Sequence, residues 1–422
     1  MPLAPTIGRL LAGLGTIAVL GLTLYPSHHQ AAASASTPLT CLACGAAGGA
    51  DITHNVLLFL PLGVGLGLAG WSWRRAVAVA ALLSFSVEAL QYFVVTGRDA
   101  SLGDLLSNTA GGALGAALAP WIGRIVCPAP ASARRLLTGG AAAWLGLLAL
   151  SGWLQQPGAS NGVLVSTWAG HSARPNPFRG TVRSAALNGV AMPPDGAPPD
   201  SSRIRDLFEQ GEVELAVQVI SGPRTELGWV YMILAGQSTQ LAFNQQLLRA
   251  TLSVPVRGLR YKLRPPTLSL RGAFPRKAGE PVALEGGRRG NRIWLTASYA
   301  GKRRAAELVL SPAHGWALLD PFNFTLGPAV RVVTAGLIAL LIVPLGYWSS
   351  AVGRPRWALP VLGLAVVAGL GIVPALGGYP PGHWSEWLAG ALAAAAGWVL
   401  HRLAAYLEPQ CGSPSASVSS SS

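Results

Sequence analysis

Nine polar side chains sit near the ends of three apolar stretches: Asp51, His54 and Asn55, then Glu88 and Gln91, then Arg98, Asp99, Asp104 and Asn108. Spacings of three or four residues place side chains on one helix face, so Asp51 lies beneath Asn55, Glu88 beside Gln91 and Asp104 beneath Asn108. Polar groups at bilayer depth cost several kcal/mol each unless they are paired or used, which makes such a set a site hypothesis. Its chemistry would be proton transfer at an anionic head group. Glu88 or Asp104 would accept a proton, Arg98 would grip phosphate oxygens with its planar fork, and His54 would shuttle a proton. Asn55, Gln91, Asp99, Asn108 and Asp51 would bind and orient the substrate or stabilise developing charge. Oxygens on Asp104, Asp99 and Asn108 would also suit a hard divalent cation, although no compact ligand spacing compels one. A helix start explains Asp104 equally well, since a carboxylate there caps backbone N–H groups. Glu88 lies inside an apolar segment with no such duty.

The elements that must position these groups are membrane helices. The 422 residues are 51% hydrophobic and only 11% charged, with mean hydropathy +0.42. Apolar runs near 7–25, 54–71, 76–95, 104–123, 136–154, 329–348, 357–376 and 385–403 have spanning length, which predicts a polytopic α-helical membrane protein of about eight spans. The first run, followed by Ala31-Ala32-Ala33-Ser34-Ala35-Ser36, also reads as a signal peptide, whose cleavage would leave seven; its length favours a retained anchor. Arg9, Arg74, Arg75, Arg124, Arg134, Arg135, Arg354, Arg356 and Arg402 all fall on one side if both termini are cytoplasmic. The polar set then gathers at the opposite, outer interface. The net charge of +14 is assigned to topology and to anionic lipid or glycan surfaces rather than to nucleic acid. Tryptophans at span ends, such as Trp71, Trp121 and Trp384, read as interfacial anchors.

Residues 156–328 differ in character. Val213, Leu215, Val217 and Val219 alternate with polar or small residues, and Trp229 to Leu234, Leu247 to Val256, Ile293 to Tyr299 and Trp316 to Leu319 read as further strands between turn signals. The expected architecture is an inserted all-β jelly roll or sandwich on the extracytoplasmic side. Its strand rhythm, with Asn176 to Val182 and Leu241 to Gln245, resembles concanavalin A-like or laminin G-like domains, a resemblance that implies glycan binding or a spacer role. No catalytic carboxylate pair stands out within it. The expected organisation is a five-span domain at 1–155, the β domain at 156–328, a three-span region at 329–406 and a disordered Ser-rich tail at 407–422. Cys41 and Cys44 fall in an outer loop where a bridge would be permitted.

The ordered combination of Asn55 to Gly63, Ser86 to Gln91, Gly97-Arg98-Asp99, Asp104 to Thr109 and Gly111 to Gly115 resembles the VanZ-like membrane family over roughly residues 10–155. The resemblance implies a multi-pass protein of the bacterial cytoplasmic membrane, linked to the cell envelope, exopolysaccharide contexts or low-level teicoplanin resistance. It also implies that Asn55, Glu88, Gln91, Arg98, Asp104 and Asn108 are signature polar positions. Membrane lipids and a lipid-linked saccharide or glycan are the implied partners, and a head-group transferase or hydrolase is the implied reaction class. Two other readings compete: a non-enzymatic glycolipid binder, and a transporter. The transporter is disfavoured because the polar groups lie near one face rather than at mid-depth. A purely structural network remains the bland reading, since amides and the Gly111, Gly112 and Gly115 face can simply glue helices.

Overall fold

The computed structural model describes residues 4–25, 38–95, 100–171, 176–320 and 324–407. The helices in chain order begin with α1 (Ala4–Thr23), α2 (Gly48–Leu68), α3 (Trp73–Phe93), α4 (Leu102–Leu118), α5 (Ile122–Val126) and α6 (Pro130–Gln155). Strands β1 (Leu164–Trp168), β2 (Thr181–Leu187), β3 (Val190–Ala191) and β4 (Asp195–Gly196) precede α7 (Ser201–Gln210). Then come β5 (Glu212–Ile220), β6 (Gly228–Ala235), β7 (Ser238–Gln246), β8 (Arg249–Ser253), β9 (Thr267–Leu270), β10 (Pro281–Arg289), β11 (Arg292–Tyr299) and β12 (Lys302–Val309). The chain ends in α8 (Val330–Ala351), α9 (Pro355–Val367), α10 (Val373–Leu376) and α11 (Trp384–Leu407). It forms two compact units, one of residues 1–120, 156–308 and 317–327, the other of residues 121–155, 309–316 and 328–422.

Seven helices among the described residues are long and apolar enough to cross a membrane. The eighth expected span is α4, which has 17 residues before a tight turn at Ala119–Trp121 containing Pro120. Proline removes the N–H that would continue the α-helical ladder, so the helix shortens there. A membrane part made of helices therefore stands, with a span count that depends on how α4 is treated.

In the first unit α2 and α4 lie almost backbone to backbone, because the sequence offers glycine where they meet. A Cβ on Gly63 would come within 2.1 Å of the Gly112 carbonyl oxygen, one on Gly111 within 2.3 Å of that of Val56, and one on Gly115 within 2.2 Å of that of Leu60. Only glycine permits such approach. Helix α1 joins the group through Gly8 and Gly65, whose added Cβ atoms would meet the Ala69 and Ala12 amide nitrogens at 2.4 Å. Phe59, Leu62, Leu66, Ala76, Ala80 and Val87 fill the space among the helices.

The inserted segment is an antiparallel β-sandwich. One six-stranded sheet has the order β4-β1-β6-β7-β8-β9 and the other β12-β11-β10-β5-β2-β3. Alternation in β5 turns Val213, Leu215, Val217 and Val219 inward, where all four are buried. Of the five strand expectations, Trp316 to Leu319 needs correction. Trp316, Ala317 and Leu318 belong to a 3-10 helix at Pro312–Leu318. Trp316 donates its indole N–H to Thr334 Oγ1 at 3.0 Å, and that local tie replaces a strand partner.

The second unit packs α6, α8, α9 and α11 around Leu137, Trp144, Ile338, Ile342, Leu345 and Leu362. The helix Arg356–Leu376 passes through a π-helical turn at Ala368–Ile372 ahead of Pro374. Proline at this position denies a partner to the carbonyl four residues back, and Leu370 O instead accepts the Gly382 N–H at 2.7 Å.

Candidate functional site

Ser101 stands at the start of α4 in extended conformation, and its hydroxyl accepts the Asp104 N–H at 3.0 Å. Serine followed three residues later by an acid is a helix-capping pattern, in which the acid ordinarily reaches back to the cap residue's own N–H. Here the pattern is split between two helices. The Ser101 hydroxyl donates to Asp104 Oδ2 at 2.8 Å, while the Ser101 N–H goes to Glu88 Oε2 of α3 at 2.9 Å. Asn55 of α2 completes the arrangement, donating its amide to Asp104 Oδ1 at 2.5 Å and to Ser107 Oγ at 3.2 Å. Ser107 in turn donates to Gly103 O at 2.8 Å.

Glu88, Asp104 and Asn55 thus meet through Ser101, and the three helices close on one polar network. Glu88 and Ser101 are buried, whereas Asp104 and Asn55 are partly open. Both oxygens of Asp104 receive donors.

Gln91 and Asn108 turn to helix junctions instead. Gln91 donates to Thr23 O at 3.0 Å, satisfying a carbonyl at the end of α1 that has no partner within its own helix. Asn108 donates to Ser84 Oγ at 3.0 Å, and its Oδ1 is buried without a partner among the described residues. Asp51 departs from the expected face and pairs with Arg264 of the β domain, Oδ1 to Nη2 at 3.5 Å. His54 makes no hydrogen bond to the network among the described residues. Arg98 and Asp99 lie outside the described residues, so the expected phosphate grip is not placed.

Of the three oxygen ligands that the sequence offers to a divalent cation without compelling one, Asp99 lies outside the described residues. Asp104 is occupied by N–H and O–H donors, Asn108 faces Ser84, and no group of three or more His, Cys, Asp or Glu side chains among the described residues could hold a metal.

Three contributors lie outside the motif runs, Ser101, Ser84 and Arg264, and Ser107 lies within the run from Asp104 to Thr109 without being a candidate site residue. Ser101 was findable through its spacing to Asp104, and Ser84 through its place one turn before Glu88. Arg264, more than two hundred residues from Asp51, carries no local signal.

The loop before α2 is tied to the same end. Cys41 and Cys44 are joined by a disulfide, the Leu102 N–H donates to Leu39 O at 2.8 Å, and that of Gly103 donates to Cys41 O at 3.0 Å. The first turn of α2 has no side-chain cap. Its Gly49 and Ala50 N–H groups donate to Lys262 O of the β domain at 3.1 and 3.4 Å.

Helices of membrane-crossing length joined to a β-sandwich, with an acidic network at the helix ends nearest that sandwich, point to a multi-pass membrane protein with an inserted β domain. Residues 14–123 match the VanZ/LLP1 family model, so that stretch of the chain is similar to VanZ-like domains. The match runs from within α1 to the start of α5 and contains every described member of the network. The β domain carries no concanavalin A or laminin G family assignment, and what stands is the antiparallel sandwich itself. Neither a curated protein nor a solved structure matches the chain.

The second unit holds its own buried acid, Glu386, at the start of α11. Its Oε2 accepts the His383 N–H at 3.2 Å, which accounts for it as a cap on that helix.

Proposed function

We propose that the VanZ-like domain recognises and processes the anionic head group of an envelope lipid or lipid-linked saccharide at the outer face of the cytoplasmic membrane. The observation that carries this reading is the Glu88–Ser101–Asp104–Asn55 network. It gathers two carboxyl groups from different helices at neighbouring helix ends, whereas helix packing alone is already served by the glycine face of α2 and α4. One backbone N–H and one hydroxyl link the two acids, so a proton leaving a substrate at Asp104 has a hydrogen-bonded neighbour in Ser101. Arg98, four residues after Val94 at the end of α3, would supply the cation for phosphate oxygens. The outward orientation rests on Arg9, Arg74, Arg75, Arg124, Arg134, Arg135, Arg354, Arg356 and Arg402, which the positive-inside rule assigns to the cytoplasmic side, against Arg98 alone in the loop beside the network. Action on lipid-linked saccharides would place the protein in envelope or exopolysaccharide assembly, and would connect it to glycopeptide-antibiotic susceptibility.

The test is Glu88→Gln in the intact, membrane-inserted protein. The amide oxygen still accepts the Ser101 N–H, so the fold is kept while the carboxylate is lost. The expected result is accumulation of a lipid-linked precursor in mass spectra of extracted envelope lipids, as in a strain lacking the protein. Unchanged lipid and polysaccharide profiles in both strains would overturn the reading.

A further inference from the structure

We propose that a cleft of about 320 Å³ beside the start of α2 binds a small saccharide bearing one anionic group, phosphate or carboxylate. One wall is the disulfide-bearing loop at Gly45 and Ala46, and the other is the β domain at Ser160, Asn161, Gln237 and Lys262. The inference rests on the proposed function only for the biological source of the ligand; the cleft itself is argued from its own groups.

The volume lies at the lower end of small-molecule sites, which run to about 300–1,000 Å³, so it suits a sugar phosphate or uronate rather than a chain. Hydroxyl and amide side chains line it, and no aromatic ring does, which favours a polyol over a base that would need stacking. Its floor is preorganised. Gln240, fully buried, accepts the Ser160 N–H at 2.9 Å and donates to Ser160 Oγ at 2.5 Å, leaving that hydroxyl's own proton to donate. Ser238 also lines the cleft.

The charge balance asks for one anion. Arg260 lines the cleft but pairs with Glu209 at 2.5 Å, which neutralises it. Lys262 has no acidic partner among the described ion pairs. Its ammonium donates to Ala43 O at 2.5 Å, which fixes its place and leaves two N–H donors. Two glycines with positive φ, Gly45 at 65° and Gly236 at 60°, form rims with open space where a Cβ would stand, so ligand can approach backbone there.

Ligand-observed saturation-transfer NMR on the full chain in nanodiscs tests the inference, with glucose 1-phosphate, glucuronate and glucose as probes and inorganic phosphate, which carries no observable proton, read by its displacement of glucose 1-phosphate. Both anionic sugars are expected to bind at least tenfold more tightly than glucose and than phosphate alone. Lys262→Gln should erase the preference over glucose, and Asn161→Trp, filling the cleft, should abolish binding of all the sugars. Thermal unfolding of both variants reports whether they fold, and Gln237→Ala, on an exposed turn, gives a milder second perturbation expected to weaken sugar binding several-fold. Equal binding of phosphate and sugar phosphate would overturn the saccharide assignment. Indifference to all three substitutions, or no saturation of any probe at millimolar concentration, would overturn the site. Glu88→Gln serves as the dividing control: it should leave sugar binding unchanged, so loss of the lipid phenotype and loss of the cleft are read separately.

Discussion

At the scale of single residues, the network works because each polar atom answers another across a helix boundary. Asn55 and Asp104 approach at 2.5 Å, one donating and the other accepting, so their identities are matched rather than merely polar. Asn55→Asp would set two carboxylates face to face and should destabilise the protein by more than Asn55→Ala does. Adding Asp104→Asn to Asn55→Asp reverses donor and acceptor and should recover about 1 kcal/mol or more of the loss. Thermal unfolding of the purified variants in one detergent measures the cycle; additive losses would show that the two side chains do not interact. Ser101→Ala removes a helix cap together with the bridge between the acids, and should cost about 1–2 kcal/mol, whereas Ser101→Thr keeps the hydroxyl and most of the stability. The same unfolding assay compares them.

At the scale of elements, the glycine faces set how near the helices come. Gly111→Ala or Gly115→Ala drives a methyl group into a carbonyl of α2 and should cost about 1–3 kcal/mol, seen as a lower unfolding temperature. Gly13→Ala in α1 meets nothing within 4 Å and should be neutral or slightly stabilising. The 3-10 helix Pro312–Leu318 carries a pH response of its own. Burial holds His314 down to about 4 from its ordinary 6.5, and its Nδ1 accepts the Ser311 N–H, so the neutral ring is the form that fits. A depressed histidine stabilises the fold fully above about 6.5, where the unfolded ring is also neutral. That contribution fades as pH falls toward 4, because the unfolded state takes up the proton first. Unfolding temperature followed from pH 7 to pH 4 should therefore drop more steeply for the native protein than for His314→Gln, by an amount on the order of 3 kcal/mol at the acid end. Parallel profiles would show that the imidazole does not titrate in this window.

At the scale of the molecule, the β domain is more than an appendage to the VanZ-like helices. Lys262 caps α2 with its carbonyl, Arg264 meets Asp51, and the Cys41–Cys44 loop lies against the same segment. The insert also holds 20 Lys and Arg against 11 Asp and Glu, so it carries +9 of the net +14. If the domain lies outside, a membrane-impermeant maleimide should label Lys302→Cys on exposed β12 in intact cells, and Arg74→Cys in the first turn of α3 only after permeabilisation. The reverse pattern would invert the topology and remove the outer-face proposal.

Composition and period were enough to read the apolar helices and four of the five strand runs, because those properties are local. Apolar length marks a span, alternation marks a strand, and three- or four-residue spacing marks a shared face. The serine at the head of α4 was within reach for the same reason, since its relation to Asp104 spans a single turn. What only the tertiary structure decided was partnership across long sequence distances: Asp51 with Arg264 rather than with its own helix face, Gln91 with the end of α1, and Trp316 in a 3-10 turn rather than a strand. The physical reason is that a hydrogen bond depends on which atoms lie within about 3 Å, and that proximity is set by the close approach of backbones at glycine and by the docking of one domain's carbonyls on another's helix end. Neither leaves a periodic mark in the residues that take part.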